Sequence, residues 1–451
     1  MEIAVDLHSH SMFAGGSGGL STSADNISEN MKKANKRFIQ ADTNSSLKGI
    51  QVLGSGDIQF TPWLDFFKKD FEEENGLFLF KDGNGELRYC LQTEVILTAE
   101  ITKNKRKSVH TLILFPHFSA IEKFKGLLAK YDVKQEKLAR PFVVLKDSSA
   151  VSDFLHQVQD IDRLIEIIPA HVMTPEGVFG GNNGVNKLET FFGDFANQIQ
   201  TFETGLSADP EILSMIPELD NKTLLSNSDA HSAQLHRIGR EFTTLQTQNL
   251  SYKAIIDSLR NQKIAFSLEF PVSEGRFFLT GHRAGRKKPG FHEKDQYCFF
   301  SPEHVPKDNK CPICKSKLTK GVLQRVFEIC KSQGEDRSLK KSQITQQYLH
   351  GVPLTEVIAT ALQIKSPESK TVLKHYESII SVFGNEVNLW REQTDQVEAK
   401  IPKIINPEIK ESILQIKRDN FGFFPPGFDG TYGSLVLGKK LDFFGHAIIK
   451  N

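Results

Sequence analysis

An α/β fold, a barrel or a close relative of one, is predicted for this chain, and three observations carry the prediction. Short apolar runs alternate with polar, helix-like stretches over residues 1 to about 270. Several of the runs are apolar throughout and end in a polar residue, the pattern of parallel strands covered on both faces. Six run ends each present a His, Asp or Glu, as in folds whose chemistry gathers at the C-terminal ends of the strands.

In chain order, the strand segments are Ile3–Leu7, Ile50–Leu53, Tyr89–Thr98, His110–Phe115, Leu164–Pro169, Ile199–Glu203 and Thr223–Ser226. Helix-like stretches between them include Asn26–Ile39, Ala120–Tyr131 and Ala150–Asp160. The composition changes at about residue 273. From Arg276 to Thr345, 16 Lys and Arg stand against 7 Asp and Glu, a local excess of nine positive charges, around the knuckle Cys311-Pro312-Ile313-Cys314. Beyond residue 336 the pattern is helical, with Leu354–Leu362 and Ser369–Phe383 as examples, before a Gly/Pro-rich tail and a last apolar strand, Ser434–Leu437. The expected division is residues 1–272, a basic metal-binding module at 273–335, and a helical region with its tail at 336–451.

Composition narrows the functional classes. The chain has 451 residues, enough for two or three domains with cores of their own. Its net charge of +1 excludes a uniformly basic nucleic-acid coat but leaves room for a local basic face. The start, MEIAVDLHSH, reads as a strand, and no run of about 18 apolar residues predicts a membrane span. Five cysteines, two of them isolated in apolar surroundings, make no disulfide framework and fit a reducing, cytoplasmic location.

His8 and His10 are two apart at the end of the first strand, so both imidazoles face one side, with Asp6 as a nearby supporting partner. Asp57 closes the Gly54-Ser55-Gly56-Asp57 turn, and Glu94 sits in the apolar run LQTEVIL, where an unpaired carboxylate is costly. His110, His171, Glu203, Asp229 and His231 stand at further run ends. Imidazole and carboxylate without thiolate suit zinc, manganese or iron(II). Neighbouring ions of that kind activate water and clamp a phosphoryl oxygen, so phosphoester hydrolysis is the expected reaction class. Arg237 and Arg240, just after SDAHS, are candidates for orienting the phosphate, or else for pairing with Glu241.

In the basic segment, Cys311 and Cys314 have zinc-knuckle spacing and Cys298 is the third candidate ligand. His292, His304 or His282 completes the set, with His292 preferred. Such a structural zinc would stabilise a segment too small to fold on apolar burial alone. Arg283, Arg286, Lys287 and Lys288, interleaved with Gly281, Gly285 and Gly290, are the expected DNA-backbone contacts.

The motifs HSH, GSGD, TEV, VH, PAH, ETG and SDAH occur in the order found in the polymerase and histidinol phosphatase (PHP) superfamily. That resemblance implies a distorted seven-stranded barrel holding two or three divalent ions, zinc, manganese or magnesium. By motif the ligands would be His8, His10, Asp57, Glu94, His110, His171, Asp229 and His231, with Glu203 close by. Ile58 stands where the superfamily's Thr-Asp-His has its histidine. The longer stretches IPAHVMTPEGVFGG, FETGLSADPEI, LLSNSDAHS with HRIGREF, KCPICKSKLTKGVLQRV, VPLTEVIA and PPGFDGTYG resemble the endonuclease Q family over nearly the whole chain. This implies an endonuclease that recognises hypoxanthine, uracil, xanthine and abasic sites in DNA. It would cut the phosphodiester on their 5′ side, leaving a 3′-hydroxyl and a 5′-phosphate. Asp229, His231, Glu94 and Arg240 would be its catalytic group, and the lesion base would be extruded from the stack. A PHP-type small-molecule phosphatase and a DNA-binding scaffold with a decayed site are the competing expectations.

Overall fold

The computed structural model describes residues 1–14, 24–133, 139–181, 183–283, 296–337, 346–440 and 447–450. The N-terminal part contains strands β1 (Glu2–Asp6), β2 (Val52–Gly54), β3 (Phe71–Glu74), β4 (Leu77–Phe80), β5 (Arg88–Thr102), β6 (Lys105–Phe115), β7 (Phe142–Val144), β8 (Glu166–Pro169), β9 (Thr201–Glu203), β10 (Thr223–Leu225), β11 (Phe242–Gln246) and β12 (Ile264–Glu269). Helices Ala24–Lys48, Phe118–Lys130, Ser148–Gln159 and Tyr252–Arg260 lie between them. The last three begin at side-chain caps, where His117, Asp147 and Ser251 each accept a backbone N–H of the first turn.

The strands form a ring. β1 pairs β2, β2 pairs β5, β5 pairs β6, and β6 pairs β8. Val172 N donates to Glu203 O at 3.1 Å and joins the end of β8 to β9, which pairs β10. β11 pairs β1 and covers the remaining seam. There, Thr243 Oγ1 accepts from Ser226 N at 2.9 Å and donates to Ser226 O at 3.1 Å, standing in for a ladder.

All seven expected strand segments are present, but uniform parallel pairing is not. β1–β2, β2–β5, β5–β7 and β9–β10 are parallel, whereas β5–β6, β6–β8 and β1–β11 are antiparallel. An unbroken apolar run reports burial on both faces and carries no information on direction. β5 and β6 form one long hairpin joined at Lys103 and Asn104, the latter at φ 63°. His110 and Glu94 accordingly lie inside strands rather than at their tips.

The basic segment adds β13 (Thr280–Arg283) and β14 (Tyr297–Phe300), and the C-terminal part adds β15 (Tyr348–His350), β16 (Phe421–Phe423), β17 (Leu435–Leu437) and β18 (Ala447–Lys450). β18 pairs β14, so a strand beyond Ser434–Leu437 completes the module as a three-stranded sheet. Its core is small: Cys298, Phe300, Cys311 and Leu318. β15 runs parallel to β12 and extends the barrel sheet. The helices from Leu354 to Lys417 pack on that edge. Their Val357, Tyr376, Trp390 and Ile413 share one apolar cluster with Ala4, Ile50, Phe242 and Phe266 of the barrel. An ion pair buried at that junction links Lys48 Nζ to a Glu386 carboxylate oxygen at 2.9 Å.

A buried pair of acids lies beneath the junction. Glu269 accepts from the hydroxyls of Ser226 and Ser267, and Glu241 accepts from Phe270 N at 2.9 Å. Burial pushes Glu269 up to about 7, and burial together with its neighbour Glu269 holds Glu241 well above the carboxylate range. The folded state therefore keeps protons that the unfolded chain releases near pH 4 to 5, and stability declines as pH rises through that window to about 7. Glu269→Gln is expected to flatten this slope, read from urea midpoints between pH 5 and 8; parallel slopes for the two proteins would count against it.

Candidate metal and phosphoester site

The loops after β1 and β10 are zipped together. Ser9 bridges Ala230 in parallel, His10 N donates to Ala230 O at 2.9 Å, and Leu7 N donates to Asn227 Oδ1 at 2.7 Å. This register lays His8-Ser9-His10 on Asp229-Ala230-His231. Asp6 serves the loop rather than a histidine: it accepts from Ser228 N and Oγ and from Gly239 N at 2.6–3.0 Å. Burial pushes its carboxyl up to about 6.

The donor atoms converge. His8 Nε2 lies 3.3 Å from His10 Nε2 and 3.4 Å from Asp229 Oδ1, and His10 Nε2 is 3.1 Å from the same oxygen. Glu94 is buried with Oε1 at 2.6 Å from His110 Nδ1 and 3.3 Å from His171 Nε2, while Oε2 faces His10 Nε2 at 3.5 Å. Three groups of ligand atoms each fall within 4.8 Å of one another: His8, His10 and Glu94; His10, Asp229 and His231; Glu94, His110 and His171. Shared members make the three groups one cluster.

Behind the front row stand supporting acids. His8 Nδ1 meets Glu203 at 2.9 Å, which directs Nε2 inward. Glu203 also accepts from His171 N at 2.8 Å and Asn227 Nδ2 at 2.8 Å. Asp57 lies behind His10, with Oδ1 3.5 Å from His10 Nδ1 and Oδ2 accepting from Ser11 N and Oγ. Asp57 thus stands on the Nδ1 side of His10 and joins none of the three groups. Ile58, where a superfamily histidine was expected, is fully buried in the apolar core. Thr174 Oγ1 lies 2.6 Å from His171 Nδ1.

The electrostatics call for cations. Burial opposes charge on His8 and His10, but Glu203, Asp229, Asp57 and Glu94 outweigh it and push them up to about 9 and about 10. Against the same burial, the imidazoles hold Asp229 and Glu94 well below the carboxylate range. His231 goes the other way, down to about 4, through burial and the charge of His10. At this centre, His10 Nδ1, Asp57 Oδ1, Asp229 Oδ1 and His231 Nδ1 are buried without a well-formed hydrogen bond. Buried orphan donors facing a carboxylate-rich centre are the arrangement that a divalent ion satisfies. Asp57, His171 and Asp229 all have positive φ, 44°, 30° and 49°, a backbone strain that clusters at functional sites. Gly205, at φ +63°, has no room for a side chain: an added Cβ would fall 2.3 Å from His171 Cβ.

Glu203→Gln is expected to lower divalent-metal affinity ~10–100-fold, because His8 loses the acid that orients it. Competitive chelator titration would measure this, and unchanged affinity would remove Glu203 from that role.

Arg240 lies among acids, in line with the second of its two expected roles. Its guanidinium lies over the Phe270 ring at 5.5 Å, and its charge acts on Glu241, Glu274 and Glu356. Arg237 likewise acts on Glu274 and Glu356. Arg140, absent from the expected set, reaches the cluster instead, with Nη1 2.8 Å from Glu94 Oε2.

In the basic module, His282, Cys311 and Cys314 form a group within 4.8 Å, and Cys298 Sγ lies 3.6 Å from Cys311 Sγ. His282 and Cys298 are directly opposite on β13 and β14. Among the described residues His282 is the histidine that joins the cysteines, and His292 lies outside the described residues. His304 contacts Ser301 at 3.2 Å. Arg286, Lys287 and Lys288 also fall outside the described residues. Arg283 is at the end of β13, where its N donates to Asp429 Oδ2 at 2.9 Å and ties the Gly/Pro-rich tail to the module. A cavity of about 810 Å³ separates the module from the loop after His171, lined by Met173, Gly180, Gly184, Lys317, Lys320 and Arg325.

Residues 353–418 match a family described as the MJ0043 C-terminal domain. The uncharacterized protein MJ0043 of Methanocaldococcus jannaschii is 30% identical over 241 residues, 52% of this chain and 28% of that protein, so the likeness spans under a third of that relative's length. Two solved structures are similar almost throughout. One is the lesion-specific endonuclease PfuEndoQ from Pyrococcus furiosus, with TM-score 0.74 and 24% identity over 97% of this chain and 96% of that one. The other is endonuclease Q in complex with a 27-mer duplex substrate carrying an abasic lesion at its active site, with TM-score 0.72 and 23% identity over 97% of each chain. The barrel, the module and the helical region of this chain together have the fold of endonuclease Q.

Proposed function

We propose that this chain is a metal-dependent DNA repair endonuclease. It hydrolyses the phosphodiester on the 5′ side of deaminated bases (hypoxanthine, uracil, xanthine) and abasic sites, leaving a 3′-hydroxyl and a 5′-phosphate. The observation that carries the reading is the meeting of imidazoles and carboxylates from five separate loops and strands in one cluster, within a chain that has the endonuclease Q fold over nearly its whole length. A small-molecule phosphatase needs the barrel but gives no use to the basic module or to the tail that Asp429 ties to it.

His8, His10, Glu94, His110, His171, Asp229 and His231 would hold two or three ions, zinc, manganese or magnesium. When bound, such ions activate water and neutralise charge on phosphoryl oxygens. Glu203 and Asp57 keep His8 and His10 turned toward the centre. Cys298, Cys311, Cys314 and His282 would bind one structural zinc. Arg283, with Arg286, Lys287 and Lys288, would follow the DNA backbone. In this reading, residues 1–272 form the phosphoesterase unit, 273–335 the zinc module and 336–451 the helical region. No helix among the described residues is long and apolar enough to cross a membrane, and a cytoplasmic location fits the five free cysteines.

The test is a panel of duplexes, each carrying one deoxyinosine, deoxyuridine, deoxyxanthosine or abasic site, incubated with manganese, magnesium or zinc. A single cut 5′ of the lesion with a ligatable 3′-hydroxyl is expected. Equal cutting of undamaged duplex, or none with any metal, would reject lesion specificity.

A further inference from the structure

We infer that Arg140 is the phosphate clamp of this site, gripping a non-bridging oxygen of the phosphodiester on the open side of the cluster. The inference rests on the reading of the cluster as a phosphoester site.

The strand register builds the arrangement. β7 runs parallel to β5 with Phe142 opposite Ile96, and Ile96 N donates to Pro141 O at 2.8 Å. Two residues earlier on each side stand Glu94 and Arg140. Side chains two apart share a face, so the pairing that fixes β7 also brings Arg140 alongside Glu94. The observed contact follows, Nη1 to Glu94 Oε2 at 2.8 Å. Glu94's other oxygen belongs to His110 and His171. The charges of Asp57 and Asp229 also act on Arg140.

Exposure sets the direction. The Glu94 side chain is 1% exposed and that of Arg140 is 22% exposed. Arg140 therefore bridges the buried donors and solvent, on the side from which a backbone phosphate must arrive. A guanidinium is a planar fork of fixed donors, always charged, and matches two phosphate oxygens or one phosphate and one carboxylate oxygen. The charges of Arg237 and Arg240, the arginines next to SDAHS, act on Glu274 and Glu356.

The test compares metal-loaded wild type, Arg140→Ala and Arg140→Lys, with inorganic phosphate as the probe in calorimetry. Expected are ~30-fold or greater weakening of phosphate binding in Arg140→Ala, an intermediate loss in Arg140→Lys, and partial recovery of Arg140→Ala by guanidinium ion in the buffer. Metal content per chain and melting temperature should match wild type. In the lesion assay, kcat should fall ~100-fold in Arg140→Ala. Unchanged phosphate binding would overturn the inference. So would loss of the metals with the side chain, because Arg140 would then serve only to hold Glu94. Arg140-dependent phosphate binding in a protein that cuts no DNA would keep the clamp and reject the endonuclease reading.

Discussion

Asp229→Asn is expected to slow lesion cutting ~1,000-fold, a loss of ~4 kcal/mol of transition-state stabilisation. Asp229 Oδ1 lies 3.4 Å from His8 Nε2 and 3.1 Å from His10 Nε2, between the two inward-facing nitrogens, and belongs to the group with His231. Asparagine keeps the shape but offers a neutral oxygen where the site calls for an anion. It also tolerates the left-handed backbone that Asp229 adopts at φ 49°, so folding should be preserved. Single-turnover cutting of a deoxyinosine duplex, with metal content measured on the same sample, checks both points. Cutting at the wild-type rate would remove Asp229 from the site.

Lys48→Met carries the largest expected loss of stability, ~3–5 kcal/mol. Lys48 is 1% and Glu386 2% exposed at the side chain, so removing the ammonium strands a buried carboxylate. Glu386 would still accept Leu354 N at 2.9 Å and Trp390 Nε1 at 3.1 Å, but neither neutralises it. Adding Glu386→Gln to Lys48→Met should recover part of the loss, since the amide keeps an acceptor and sheds the charge. Urea unfolding of the two single variants and the double variant measures this. A Lys48→Met midpoint equal to wild type would mean that water reaches the junction.

Burial and periodicity made much of the barrel legible from residues alone. The runs from Ile3 to Ser226 each contain an observed strand, because an apolar run bounded by polar residues reports burial directly. β3 was hidden: Phe71-Glu72-Glu73-Glu74 has no apolar alternation, and it is a strand because β4 pairs it and Phe71 alone turns inward. The front-row donors were legible because each is a polar residue inside or at the end of an apolar run. Asp57 was legible as a member of the site but not in its position behind His10, which depends on the Ser11 contacts across 46 residues of chain. Arg140 carried no local signal, since only the β5–β7 register reveals what it faces. His282 was one of three histidines in the basic segment, and the pairing of β13 with β14 distinguishes it.

The alignment of β1 with β11 matches Glu2 to Gln246 and Val5 to Thr243. During synthesis at ~5–20 residues per second, the first strand waits roughly 12–50 s for its outer neighbour to leave the ribosome. Until then its apolar edge has only β2 to shield it, and the histidines that follow have not met the aspartate they share. The pair His8 and His10 can therefore meet Asp229 only after most of the barrel has been made.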